Sequence, residues 1–325
     1  MHNLAVWIDT DPSIGLPLHD ADDGFALIQA FHSPELVIRG IASIYGNARL
    51  RRTDQIAREI ARLFGPPAGL DANDVYPGAA SAAELGQSTP AAEALQRALR
   101  ESAGPLTCLA LGPLTNLATV IQRAPGLAAE KIERVIFVGG RTPGSRFFFG
   151  SWNPYEFHDA NFEKDPEAAA IVLGSRLPVT FVPLELTSKM ALTPADFTRI
   201  SASGEAGRWL AGKARLWLWL WRICFGVPGG LVHDCLAVLA ATHPHLLCFE
   251  PREASIVPVS PTNRLPLLLA RVPELATSPG RTVTFCRRFQ PGAKAVLLDR
   301  LCRRAGSDTS ELSTPRPPPA SIVSP

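Results

Sequence analysis

Short, unbroken apolar runs alternate with amphipathic helical patterns along most of the 325-residue chain. Leu4–Ile8, Leu36–Ile44, Leu106–Leu111, Arg134–Val138 and Pro178–Leu186 read as strands. Asp22–His32, Thr53–Phe64, Ala91–Glu101, Leu114–Arg123 and Pro166–Leu173 read as the helices between them. Strands that stay apolar at successive positions belong to a sheet covered on both faces. The alternation predicts an α/β fold, an open and mostly parallel sheet with helices on both faces.

Beyond Leu186 the rhythm changes. A helical pattern from Glu205 to about Phe225 carries Trp209, Trp217, Trp219 and Trp221, and Val227-Pro228-Gly229-Gly230 breaks it. A second helix is expected from His233 to just before His243-Pro244, followed by strands Ala254–Val259 and Thr282–Cys286 and a helix Ala293–Arg304. No internal repeat is visible, so residues 1–306 read as one domain. Residues 307–325 turn to Ser, Thr and Pro and are expected to form a disordered tail, because they cannot bury enough apolar surface to offset ordering.

A net charge of +2 offers nothing to nucleic acid or an anionic membrane. The six cysteines are scattered without a Cys-x-x-Cys, which fits free thiols packing as small apolar residues in a reducing compartment. The first charged strand end arrives by Asp9, too early for a signal peptide, so a cytoplasmic location is expected. The most apolar stretch, Leu216–Phe225, is too short to span a membrane, and Arg215 and Arg222 interrupt it.

The chemistry concentrates at the end of the first apolar run. Asp9, Asp11, Asp20, Asp22 and Asp23 place five carboxylates within fifteen residues. Crowded like charges need a hard cation or a protonated partner to offset them. In a parallel sheet, ligands bind beyond the carboxyl ends of the strands, where Asp9 and Asp11 stand. An all-oxygen set suits Ca²⁺ or Mg²⁺ rather than Zn²⁺. A carboxylate in a first helical turn is also favoured by the helix dipole, which is the plainer role open to Asp22. Enzymes with an aspartyl nucleophile usually place Thr or Val two residues beyond the second Asp, where Ser13 stands, and lack the later Asp-Asp pair. A dinucleotide fold needs Gly-x-Gly-x-x-Gly after the first strand, and Gly15 is alone in that loop.

In these residues the chain resembles the inosine–uridine-type nucleoside hydrolases. Asp9-Thr10-Asp11-Pro12 and Asp22-Asp23-Gly24 are similar to the two halves of the family's opening Asp-x-Asp-Pro-Gly-x-Asp-Asp-Ala. Tyr45-Gly46-Asn47, Val75-Tyr76-Pro77-Gly78-Ala79, Leu111-Gly112-Pro113-Leu114-Thr115-Asn116, Val138-Gly139-Gly140, Asn161 with Asp165-Pro166-Glu167-Ala168, and His233-Asp234 follow in the family's order. Two departures stand out. The loop between Pro12 and Asp22 is longer than the family pattern and adds Asp20 as a competing ligand. The family's Glu-x-Asn becomes Asp159-Ala160-Asn161, with a shorter acid; Glu156-Phe157-His158 breaks the spacing to Asp165-Pro166.

The resemblance implies Ca²⁺-dependent hydrolysis of a ribonucleoside to ribose and free base, within purine or pyrimidine salvage. It implies a metal held by Asp11, Asp23, Asp234 and the main-chain carbonyl of Leu111, with Asp11 also the general base. It implies that Asp22, Asn47, Asp159 and Asn161 hold ribose hydroxyls, with Asn153 a further candidate. His233, beside a ligand Asp, is the candidate to protonate the leaving base, against the plain reading of a packing residue at a helix start. Family members are commonly dimers or tetramers, so a homo-oligomer is expected. A ribosyl-binding relative without turnover and a metal-dependent phosphohydrolase are the alternatives. Trp217, Trp219 and Trp221 alternate and cannot share one helical face, so most belong to the core or an interface, with base stacking open to one of them. His19 and His158 fall near the motifs without a defined role, and Arg141–Phe149 reads as a Gly- and Phe-rich loop with the character of a lid.

Overall fold

A computed structural model describes residues 3–145, 158–258, 266–272 and 280–303. Asn153, residues 146–149 of the expected lid loop and the 307–325 segment lie outside the described residues.

The described strands are β1 (Leu4–Thr10), β2 (Leu36–Ser43), β3 (Val75–Pro77), β4 (Leu106–Ala110), β5 (Ile132–Val138), β6 (Val179–Val182), β7 (Ala191–Leu192), β8 (Gly230–Leu231), β9 (Leu247–Val257), β10 (Leu267–Arg271) and β11 (Arg281–Phe289). Nine of them form one sheet in the order β10-β9-β11-β6-β5-β4-β1-β2-β3, and β7 pairs with β8 in a separate ribbon. Pairing is parallel from β3 across to β11, and β9 runs antiparallel to both β11 and β10. The expected α/β architecture is the one observed.

β1 lies inside the sheet, between β4 and β2, and its side chains alternate between two cores. Val6 and Ile8 face the helices Asp22–Phe31, Cys235–Thr242 and Gly292–Leu301, whereas Trp7 faces Pro90–Glu101 and Thr115–Arg123 on the other side. The chain passes from β1 to β2 on one side and returns to β4 on the other. The carboxyl ends of β1 and β4 therefore open a crevice at a topological switch point, the favoured place for a ligand in such sheets.

Three expectations change. The strand expected over Pro178–Leu186 stops at Val182, and Leu184–Thr187 turns helical after Pro183, which cannot donate to a ladder. The long helix expected from Glu205 breaks into Glu205–Lys213, Arg215–Trp219 and a π-helical turn, Leu220–Cys224. Trp217 and Trp221, four residues apart, share the buried face, while Trp219 is exposed. The helix expected from His233 starts at Cys235, which leaves His233 and Asp234 in the turn before it.

Candidate active site

The switch-point crevice is built by backbone economy. Gly46 follows β2, and a Cβ there would overlap Asp11 Oδ2. Without it, the Asn47 N–H reaches Asp11 Oδ2 at 2.5 Å, and the Asn47 amide donates to Asp23 Oδ2 at 3.0 Å. Asp23 Oδ1 accepts from the Thr10 hydroxyl at 2.5 Å and from the Asp11 N–H at 3.0 Å. The helix Asp22–Phe31 has no side-chain N-cap, so its positive end, carrying Asp22 and Asp23 in the first turn, faces the cluster.

Oxygens of Asp22, Asp23 and Asp234 all lie within 4.8 Å of one another, each residue buried. Asp11 sits against them, and its Oδ1 is buried with no hydrogen-bond partner. Burial raises the Asp11, Asp22 and Asp234 carboxyls well above their usual range, and the neighbouring aspartates push in the same direction. A naked cluster of this kind must hold protons or a cation. Hard oxygen donors, an orphaned carboxylate oxygen and mutual repulsion fit a divalent hard metal.

The adjoining cleft, about 490 Å³ including space open to solvent, is lined by Asp20, Asp22 and Asp234 together with Asn47, Leu111, Asp159 and Asn161. Asn161 donates its amide to the carbonyls of Leu111 at 2.7 Å and Val138 at 3.0 Å, strapping the ends of β4 and β5 together. Asp159 caps the short helix Ala160–Glu163, accepts from the Gly140 N–H at 2.6 Å, and is raised to about 6 by burial. His233 is buried, its Nδ1 paired with the Thr187 hydroxyl at 2.7 Å, and burial lowers it to about 4. Asp22 was expected only at the sugar; its oxygens also converge with those of Asp23 and Asp234.

The remaining motif residues hold the frame. Asn116 donates to Asp9 Oδ1 at 3.1 Å and accepts from the Ala79 N–H at 2.8 Å, while a Cβ on Gly78 would strike its amide. Asp9 is raised to about 8 by burial, against that hydrogen bond from Asn116. Thr115 donates to Asp165 Oδ2 at 2.6 Å, and Asp165 caps the helix Pro166–Gly174. The lengthened loop is pinned by the buried Trp217, whose indole N–H donates to Asp20 Oδ1 at 2.7 Å. Sequence reading missed Thr10, Thr187 and Trp217 as partners of site residues. Thr10 was legible as a hydroxyl between two strand-end acids; the other two meet the site only through tertiary packing. His158 lines the cleft, whereas His19 is exposed and bonds the Pro17 carbonyl. Among the described residues, no tryptophan lines the cleft.

A parallel sheet with a buried, metal-competent acid cluster at its switch point defines the chain as an α/β enzyme with an oxygen-ligand centre. Residues 6–296 match the model of the inosine-uridine preferring nucleoside hydrolases. The chain is 28% identical over 267 residues to uridine nucleosidase 1 of Arabidopsis thaliana, covering 75% of each. It is 33% identical over 223 residues to a pyrimidine-specific ribonucleoside hydrolase of Salmonella typhimurium, covering 62% of this chain and 67% of that one. In fold it is similar to a solved plant nucleoside hydrolase, with a TM-score of 0.75 at 24% identity over 93% of this chain and 100% of that one. A purine-preferring ribonucleoside hydrolase from Gardnerella vaginalis gives 0.74 at 22%, over 92% of this chain and 98% of that one. The chain belongs to the inosine-uridine preferring nucleoside hydrolase family, metal-dependent hydrolases of the N-glycosidic bond of ribonucleosides.

Proposed function

We propose that this enzyme is a Ca²⁺-dependent ribonucleoside hydrolase whose ion is held by Asp11, Asp23, Asp234 and the Leu111 carbonyl. The observation that carries the reading is the buried, unpartnered Asp11 Oδ1 beside the converging Asp22, Asp23 and Asp234. Bound Ca²⁺ supplies positive charge and an ordered, acidified water. Asp11 takes the proton from the attacking water as its oxygen bonds to the ribose C1′. The C1′–N bond breaks, and its electron pair leaves with the base. His233, its ring fixed by Thr187 and kept neutral by burial, would serve the departing base as an Nε2–H hydrogen-bond donor. Asp22, Asn47, Asp159 and Asn161 accept or donate to ribose hydroxyls, and Asn153 is a further candidate. Rigid contacts of this kind hold the sugar in its reactive geometry and reject sugars that lack the hydroxyls.

Two of the relatives carry uridine or pyrimidine names, so uridine heads the assay panel, followed by purine and nicotinamide ribosides. Asp11→Asn tests the mechanism. Ribose release should fall by at least roughly 10²-fold, the typical worth of a general base, while nucleoside binding by calorimetry persists. Absence of turnover by the unaltered enzyme on every riboside tested, with binding retained, would instead favour a ribosyl-binding protein. Phosphate release from nucleotides would favour a phosphohydrolase.

A further inference from the structure

Two imidazoles line one cleft, and they differ. His233 is buried at the metal side. His158 stands immediately before Asp159, ahead of the helix Ala160–Glu163, with its side chain 59% exposed. Its Nδ1 lies 3.4 Å from Glu163 Oε2. Glu163 is itself held: its side chain is only 11% exposed and lies 3.8 Å from the buried Arg141 guanidinium. Burial raises the Glu163 carboxyl, while His158 and Arg141 pull it back toward ionisation.

A carboxylate on Nδ1 orients an imidazole and leaves Nε2 to act on a ligand. Glu163 lies against this ring, and the other titratable groups lining the same cleft are Asp20, Asp22, Asp159, Asp234 and His233. Solvent reaches the ring, so a proton given away can be replaced between turnovers. The substrate cleft needs such a group, because a base expelled as an anion leaves slowly unless it is protonated.

We infer that His158 is a proton donor to the departing base, with Glu163 as its positioning residue. The inference rests on the hydrolase reading above and extends it. As C1′–N breaks, the Nε2 proton of the imidazolium passes to a nitrogen of the base, the bond's electron pair becomes the base's lone pair, and neutral His158 is reprotonated by solvent. Water's oxygen bonds to C1′ and its proton goes to Asp11, so atoms and charge balance.

The test compares nucleosides with p-nitrophenyl riboside, whose leaving group needs no proton. His158→Ala should lower kcat on nucleosides by about 10²-fold, leave p-nitrophenyl riboside hydrolysis unchanged, and recover part of its activity with added imidazole. Glu163→Gln should lower kcat on nucleosides with KM unchanged, and Glu163→Asp should restore part of it. His158→Gln, closer in size, serves if the alanine variant misfolds. Equal losses on both substrates, or no loss on nucleosides, overturn the inference. If the unaltered enzyme splits neither substrate, the hydrolase reading itself has failed, a result distinct from a failure at His158.

Discussion

Gly46 shows how a missing side chain can set the geometry of an acid cluster. Its hydrogen stands where a methyl would collide with Asp11, and the same backbone turn delivers the Asn47 N–H to that carboxylate. Gly46→Ala should therefore move Asp11 while leaving the fold intact. The expected result is weaker Ca²⁺ binding by calorimetry and a kcat loss of roughly 10²-fold, the scale of a misplaced reacting group. An unchanged far-ultraviolet spectrum checks that the fold survives. The site was partly legible in the sequence at this scale. Asp11, Asp22, Asp23 and Asn47 announce themselves by charge crowding and turn chemistry, because their neighbours in sequence are their neighbours in space. Thr187 and Trp217 do not, for each meets the site across a long stretch of chain. Nothing in local spacing records that His233 pairs with one and Asp20 with the other.

The elements were legible in proportion to their periodicity. Five apolar runs became the central strands because burial on both faces leaves an unbroken hydrophobic signature. The short edge strand Val75–Pro77 and the helix Pro194–Ser203 lacked that signature, although Thr193 and Asp196 form a capping box at the helix start. The Trp-rich region was misread as one helix because its apolar content is continuous, whereas its backbone turns π-helical at Leu220–Cys224. That region has a task at the element scale: its Trp217 indole anchors the lengthened loop through Asp20. Trp217→Phe keeps the ring among Phe25, Phe197 and Trp221 but deletes the donor. A stability loss of about 0.5–1.5 kcal/mol in urea titration is expected, from one lost hydrogen bond. A rise in KM should accompany it as Asp20, which lines the cleft, is released.

For the whole molecule, the acid cluster ties stability to both pH and metal. Burial raises Asp20 and Asp159 to about 6 and Asp9 to about 8, from an ordinary 3.8, and raises Asp11, Asp22, Asp23 and Asp234 as well. The folded state then binds more protons than the unfolded chain between those limits, so these groups make stability fall as pH rises from 3.8 toward about 8. The metal-free enzyme should melt at a lower temperature at pH 8 than at pH 6. Ca²⁺ should restore the loss, with an increment that grows with pH at fixed Ca²⁺ and is roughly 4 °C where Ca²⁺ is in hundredfold excess over Kd. Calorimetric scans with chelator and with Ca²⁺ read both effects, and a Ca²⁺ increment that shrinks with rising pH would contradict them.

The cluster also joins distant parts of the chain. Asp11 and Asp23 belong to its opening, and Asp234 lies beyond its second third. During synthesis the ribosome delivers the first two long before the last, so the nascent polypeptide carries an unfinished cage while most of the sheet is still being made. A cation that needs all three can be caged only once the chain has been translated past Asp234 and the helix Cys235–Thr242 has docked against Asp22–Phe31.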